Sequence, residues 1–236
     1  MKKILLLLYV ITLFSCSSDD DSNNEQKAKK YVDVVKLTTN GVTSTINLTY
    51  NDAKEIIRYS RSNTSLTYKY EQGRLTTIAD TDQNNTPYQL SYTNGELSSL
   101  KHYNDTYPVT HNAADNSYTF SLGEINFKLG IAGRDIDFLN NFDGVSSQKF
   151  SYSNQNKGPL YNMSTENAYL VPLFSEYAYI FLTSMPTTQF RLNTDGTEKV
   201  YNATHTFDEE GYVISTILRS GNEEFLSAQF HYVTLE

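Results

Sequence analysis

The chain of 236 residues holds one cysteine, no tryptophan and five prolines. A single cysteine excludes an internal disulfide, so stability has to come from a buried core. Gly-x-Ser-x-Gly, a partnered Ser-x-x-Lys and a Gly-rich phosphate loop are all absent, which removes the common nucleophile and nucleotide signatures. No apolar run approaches the ~20 residues that a membrane-crossing helix needs. Basic residues are few, 19 Lys and Arg against 27 Asp and Glu, and an acidic surface repels phosphate backbones, so a nucleic-acid partner is disfavoured. The missing tryptophan counts against a sugar-stacking platform.

What is present begins at the N-terminus. Met1-Lys2-Lys3 precedes an apolar stretch over 4–14, then Ser15-Cys16, the charged start and short apolar core of a secretory signal. Leu13-Phe14-Ser15-Cys16 resembles a bacterial lipobox, which implies acylation of Cys16 after cleavage and a membrane contact through the lipid; Phe14 is bulkier than that pattern prefers. Acylation would also consume the lone thiol. Asp19-Asp20-Asp21 follow, and an acidic run there resembles the surface-export signal of Bacteroidota lipoproteins. The resemblance implies a bacterial outer-membrane protein, lipid-anchored and facing outward. The expected organisation is a signal peptide over 1–15, a lipidated and flexible acidic tether over 16–29, and a single antiparallel β domain over 30–236. From Cys16 onward the chain has 221 residues; without Lys2 and Lys3 it carries 17 basic and 27 acidic side chains, a net charge of −10.

The body of the chain repeats itself. Tyr70-Glu71-Gln72-Gly73-Arg74-Leu75 returns as Tyr92-Thr93-Asn94-Gly95-Glu96-Leu97, and a cousin runs from Phe207 through Gly211 to Ile217. A degenerate copy starts at Tyr50. The physics is that of a β-hairpin: an aromatic ends one strand, glycine takes the positive φ of the turn, and an aliphatic residue opens the next strand. Asn94-Gly95 favours the type I′ turn that matches strand twist. Further turn marks fall at Asn40-Gly41, Asp143-Gly144, Asp195-Gly196 and Gly221-Asn222. Alternation such as Tyr88/Leu90/Tyr92 and Ala228/Phe230/Tyr232 supports strands. These marks predict an all-β antiparallel meander of roughly twelve to sixteen strands, forming a curved sheet or open barrel. The apolar stretch over 173–182 fits either a short helix or a buried strand; a helix or irregular plug packed on the sheet is the expectation.

The Tyr-x-x-Gly-x-Leu hairpins resemble the YD repeats of RHS-type proteins, although Glu71 and Thr93 replace the aspartate. The whole layout, including the segment over 152–160 and the closing Phe-Asp-Glu-Glu-Gly-Tyr hairpin, is similar to Bacteroidota lipoproteins of unknown function with a porin-like antiparallel β domain. That family brings no catalytic residues.

Asp80, Asp82 and Asn84 begin like a calcium loop, but Asn85 and Ser91 stand where an EF-hand needs glycine and glutamate; a polar hairpin loop is the stronger reading. Asp135, Asp137 and Asp143 form a looser acidic set. Of the four histidines, His205 shares strand parity with Tyr201 and Phe207 and reads as a hydrogen-bonded core residue, whereas His231 reads as solvent-facing. No metal or cofactor is assigned and no catalytic residue is named; an enzyme is disfavoured. The repeat residues Tyr70, Gly73, Leu75, Tyr92, Asn94, Gly95, Leu97, Phe207 and Gly211 read as structural. Three functions remain open. The first is a non-catalytic surface module that binds or assembles with a surface protein or glycan. The second is a glycan or peptide hydrolase, and the third a carrier with an apolar groove. A lumen lined by apolar side chains would favour the last, and a pocket with two carboxylates about 5–10 Å apart the hydrolase.

Overall fold

A computed structural model describes residues 28–81, 86–122, 125–141, 146–175 and 177–235. Cys16, the acidic run, Asp82, Asn84 and Asp143 lie outside them. Sixteen antiparallel strands follow in order: β1 (Lys30–Thr39), β2 (Val42–Tyr50), β3 (Ile56–Arg61), β4 (Thr64–Glu71), β5 (Arg74–Asp80), β6 (Tyr88–Thr93), β7 (Glu96–His102) and β8 (Asp105–Asn112). The second half is β9 (Ser117–Leu122), β10 (Ile125–Ala132), β11 (Asp135–Asn141), β12 (Ser146–Tyr152), β13 (Thr187–Thr194), β14 (Thr197–Phe207), β15 (Val213–Ser220) and β16 (Glu223–Thr234). Each pairs with its sequence neighbours, and β1 pairs with β16 from Lys30↔Thr234 to Thr39↔Leu226. The sheet is therefore a closed barrel, which corrects the expectation of a curved sheet or open barrel. Inward Val35 and Leu37 of β1 stand opposite Phe230 and Ala228 of β16, so closure buries apolar side chains as well as removing both sheet edges.

The direction of the alternation decides what kind of barrel this is. Apolar side chains point inward: Ile46 and Leu48, Tyr59, Leu66 and Tyr68, Leu75 and Ile78, Leu97 and Leu100 are buried. Lys36, Asn47, Arg58, Lys69, Lys149 and Arg191 lie within strands, away from their ends, and are exposed. In a membrane-spanning barrel the outer band is apolar, and an Arg or Lys at the bilayer midplane costs about 2–4 kcal/mol. The outer wall here is a water-facing surface.

Sixteen strands enclose more space than wall side chains can fill, and the 153–186 connection fills it. This plug enters after β12, leaves into β13, and carries two short helices, α1 (Leu170–Leu173) and α2 (Ala178–Phe181). The apolar stretch over 173–182 is thus divided between two helices, with Tyr177 at φ 60° ahead of the second. The plug lies inside the barrel: Leu160, Met163, Leu170, Val171, Ile180 and Phe181 belong to the same buried core as the strands. Its two legs hold each other through Gly158 N–H to the Ser184 carbonyl and Leu160 N–H to the Thr183 carbonyl, both 2.9 Å. A Cβ at Gly158 would come within 2.4 Å of the Thr183 carbonyl oxygen, so only glycine permits that approach.

Candidate functional site

The rims differ. The basal rim holds the start of β1, the end of β16, the plug's two legs and the Tyr-x-x-Gly-x-Leu turns; the apical rim holds the turns at 40–41, 62–63, 103–104, 195–196 and 221–222.

At the basal rim the repeat has a mechanical meaning that the sequence pattern did not disclose. A register shift sits immediately before Tyr50, Tyr70, Tyr92 and Tyr152. Each of these tyrosines donates its hydroxyl to a backbone carbonyl near the start of the preceding strand. Tyr50 reaches Val32 at 2.7 Å, Tyr70 reaches Ile56 at 2.8 Å, Tyr92 reaches Leu75 at 2.6 Å and Tyr152 reaches Ile136 at 2.5 Å. Tyr232 does the same to Val213 at 2.7 Å. In the consecutive copies the tyrosine Cα pairs with the aliphatic residue of its own repeat, Tyr92 with Leu97 and Tyr70 with Leu75, while its hydroxyl holds the aliphatic residue of the repeat before. On β14 the aromatic is Phe207, which has no hydroxyl and is 37% exposed. His205 replaces the clasp there, with Nε2 2.9 Å from the Thr187 carbonyl and Nδ1 2.9 Å from Thr216 Oγ1. Burial lowers the His205 pKa, which favours the neutral ring. Burial also raises the clasp tyrosines, Tyr92 to about 12, so they remain neutral donors.

The turn residues follow from the same geometry. Gly73 and Gly95 have φ of 76° and 92°, and Asn94 joins Gly95 in the left-handed region with φ 53°. Gly211 (φ 81°) closes a turn in which the Asp208 carboxylate accepts the Glu210 and Tyr212 amides. Lys30 Nζ bridges Asp208 at 2.8 Å and Glu210 at 2.6 Å, beside the barrel seam; those two carboxylates raise its pKa.

Asp135 is the plug's fastening to the wall. It is 4% exposed, accepts the Ser184 amide and hydroxyl at 2.6 Å each, and accepts the Met185 amide at 3.1 Å. Burial pushes its carboxyl pKa up, against the lowering by those donors. A carboxylate used this way is spoken for, and among the described residues no group of three His, Cys, Asp or Glu side chains could hold a metal. Asp80 ends β5 and lines a small polar cavity; the other two members of the calcium-like loop lie outside the described residues. His231 is exposed and bonded to Asp33 at 2.7 Å.

Between the plug and the wall lies an apolar pocket that reaches from the apical start of β6 to the basal starts of β7 and β9. Its volume is about 220 Å³, and β6, β7 and β9–β11 form its wall. On the wall Tyr88, Phe120 and Phe127 lie nearer the apical rim and Leu97 and Tyr118 nearer the basal one, while Leu170, Leu173 and Phe174 come from the plug. Among the described residues no charged side chain lines it. Its two hydroxyls belong to Tyr88 and Tyr118; Tyr118 donates to the Glu96 carboxylate, and desolvation followed by Glu96 raises its pKa to about 12. Neither is a proton carrier at neutral pH. Phe174 borders two more cavities, one of about 480 Å³ with Ser62, Asn63 and Thr64, and one of about 230 Å³ with Asp80, Thr86 and His102. An aromatic file leads inward from the rim: Tyr103 meets His102 edge-on, His102 stacks on Tyr88 at 4.1 Å, and Tyr88 leans on Phe174 at 5.2 Å. Of the residues singled out from the repeat, Leu97 alone reaches this pocket. The others were invisible as a site because they come from six separated segments.

No protein-family model matches the chain and no curated protein does. Solved structures do. A porin-like protein from Bacteroides uniformis is 14% identical, with 86% of this chain and 98% of that one covered, at a TM-score of 0.52. A porin-like protein from Bacteroides vulgatus is 11% identical over 88% of this chain and all of that one, at a TM-score of 0.48.

Proposed function

We propose that the protein is a non-catalytic binding module of the bacterial outer membrane, held by a lipid on Cys16 and displayed outward. The observation that carries this reading is the inverted barrel: charged residues cover the wall and apolar ones fill it, so membrane attachment has to come from outside the barrel. The lipobox-like Leu13-Phe14-Ser15-Cys16 supplies that attachment, with a tether over 16–29 running to the basal rim at Lys30. The fold shared with porin-like Bacteroides proteins and the acidic run after Cys16 support the outer-membrane setting. The apical rim then points away from the membrane. Among the described residues no carboxylate lines the pocket, and the tyrosines of the basal rim are engaged with backbone carbonyls; both weigh against a hydrolase and against a stacking platform for sugars.

Fractionation tests the anchor. Cys16→Ala moves the protein out of the membrane fraction, and its retention there would sink the lipid attachment. Protease added to intact cells digests the wild-type protein; protection would place it on an inner leaflet.

A further inference from the structure

We infer that the apolar pocket beside Phe174 is a binding site for the single unbranched hydrocarbon chain of a free amphiphile, with its polar head left at the apical mouth. This goes beyond the proposed function, which concerns attachment and display.

Three observations select that occupant. The described residues that line the pocket are uncharged and almost wholly hydrocarbon, which favours an apolar occupant. Its volume, about 220 Å³, is half as large again as the ~150 Å³ cavity that accepts a benzene ring, and its lining extends along the barrel from Tyr88 at the apical start of β6 to Leu97 at the basal start of β7. Scaled from that cavity, which takes six carbons, the space takes one chain of roughly eight or nine carbons and has no room for a second chain or a four-ring lipid. Polar surroundings begin directly on the other side of Phe174, where Ser62, Asn63 and Thr64 line the neighbouring cavity. Apolar depth and polar mouth meeting at one aromatic ring match a single-chain amphiphile entering tail first. Phe174, half-buried and shared by three cavities, divides the tail compartment from the head compartment.

The test uses the full chain carrying Cys16→Ala, handled without detergent, titrated calorimetrically with n-alkanols from butanol to decanol. Affinity should tighten about fourfold with each methylene and level off near octanol. Leu129→Trp, which fills the pocket, should weaken octanol binding at least tenfold; Leu139→Phe, a smaller intrusion, should give a partial loss if the tryptophan variant does not fold. Phe174→Ala should move the plateau to longer chains. Absence of chain-length dependence, or equal binding by the pocket-filling variants, would show that the space is a gap in packing. Sedimentation with phosphatidylcholine vesicles that Leu129→Trp abolishes would instead assign the pocket to a membrane lipid and overturn the free amphiphile. Because the assay is carried out without the anchor, its failure leaves the Cys16 fractionation result unaffected, and the reverse.

Discussion

At the basal rim five tyrosine hydroxyls and one imidazole hold backbone carbonyls, and a 34-residue connection is drawn inside and fastened by Asp135. At the apical rim the described turns at 40–41, 62–63, 103–104, 195–196 and 221–222 are two residues long, Tyr103 stands 56% exposed, and Phe174 borders an apolar pocket. Both rims terminate the same strands, so the difference lies in side chains. One end is clasped by ring hydroxyls and an imidazole bonded to backbone carbonyls; the other carries side-chain pairs across strands, such as Arg61 on Ser44, Lys199 on Glu223 and Arg219 on Glu224. The end adjoining the proposed tether is the one clasped onto the backbone.

That contrast can be broken at several points, and the plug should be the most sensitive. Asp135→Ala leaves the Ser184 and Met185 amides without their acceptor, and stability measured by urea unfolding should fall by about 3 kcal/mol or more. Gly158→Ala forces backbone apart where the two legs meet and should cost about 2–3 kcal/mol; an unchanged melting temperature would mean the legs part easily. Tyr92→Phe deletes one clasp and should cost about 1 kcal/mol, a melting shift of roughly 2–4 °C at this size. Tyr103→Ser at the apical rim should stay within about 0.5 kcal/mol, and a loss equal to that of Tyr92→Phe would erase the distinction between rims.

The imidazole clasp adds a pH signature. His205 has a folded pKa below its unfolded value of about 6.5, so the unfolded chain takes up its proton first as pH falls. The stability this residue contributes is complete above that value and declines as pH drops from about 6.5 toward the folded pKa. His205→Gln should flatten the melting temperature between pH 6.5 and 5, and an identical slope would remove His205 from the clasp.

Much of the wall could be read from the chain. Asn94-Gly95, Gly73 and the alternation around Leu90 and Ala228 are local signals, and strand pairing between sequence neighbours follows from local signals. Closure is different in kind, since Lys30 and Thr234 meet across the whole chain and nothing near either residue encodes that register. The tyrosine clasps were hidden for a related reason. Tyr92 looks like a turn-closing aromatic until its hydroxyl is seen on Leu75, one repeat back. His205 was legible as a bonded inward residue by strand parity, whereas its acceptor Thr187 lies beyond the plug. The pocket needed the plug to be inside: Phe174 and Leu170 read as apolar density, and only enclosure sets them opposite Leu129 and Leu139.

The seam between β1 and β16 has a kinetic consequence. The other ladders close connections of at most 34 residues, but this one closes a loop of about two hundred residues, and loop closure becomes costlier with length. Until it forms, β1 and β16 are open edges, and an open edge accepts a strand from any neighbouring molecule. The Lys30 bridge to Asp208 and Glu210 sits where that seam begins. It ties the start of β1 to the β14–β15 turn beside that seam, so its contribution bears on bringing the two edges together as well as on the finished fold.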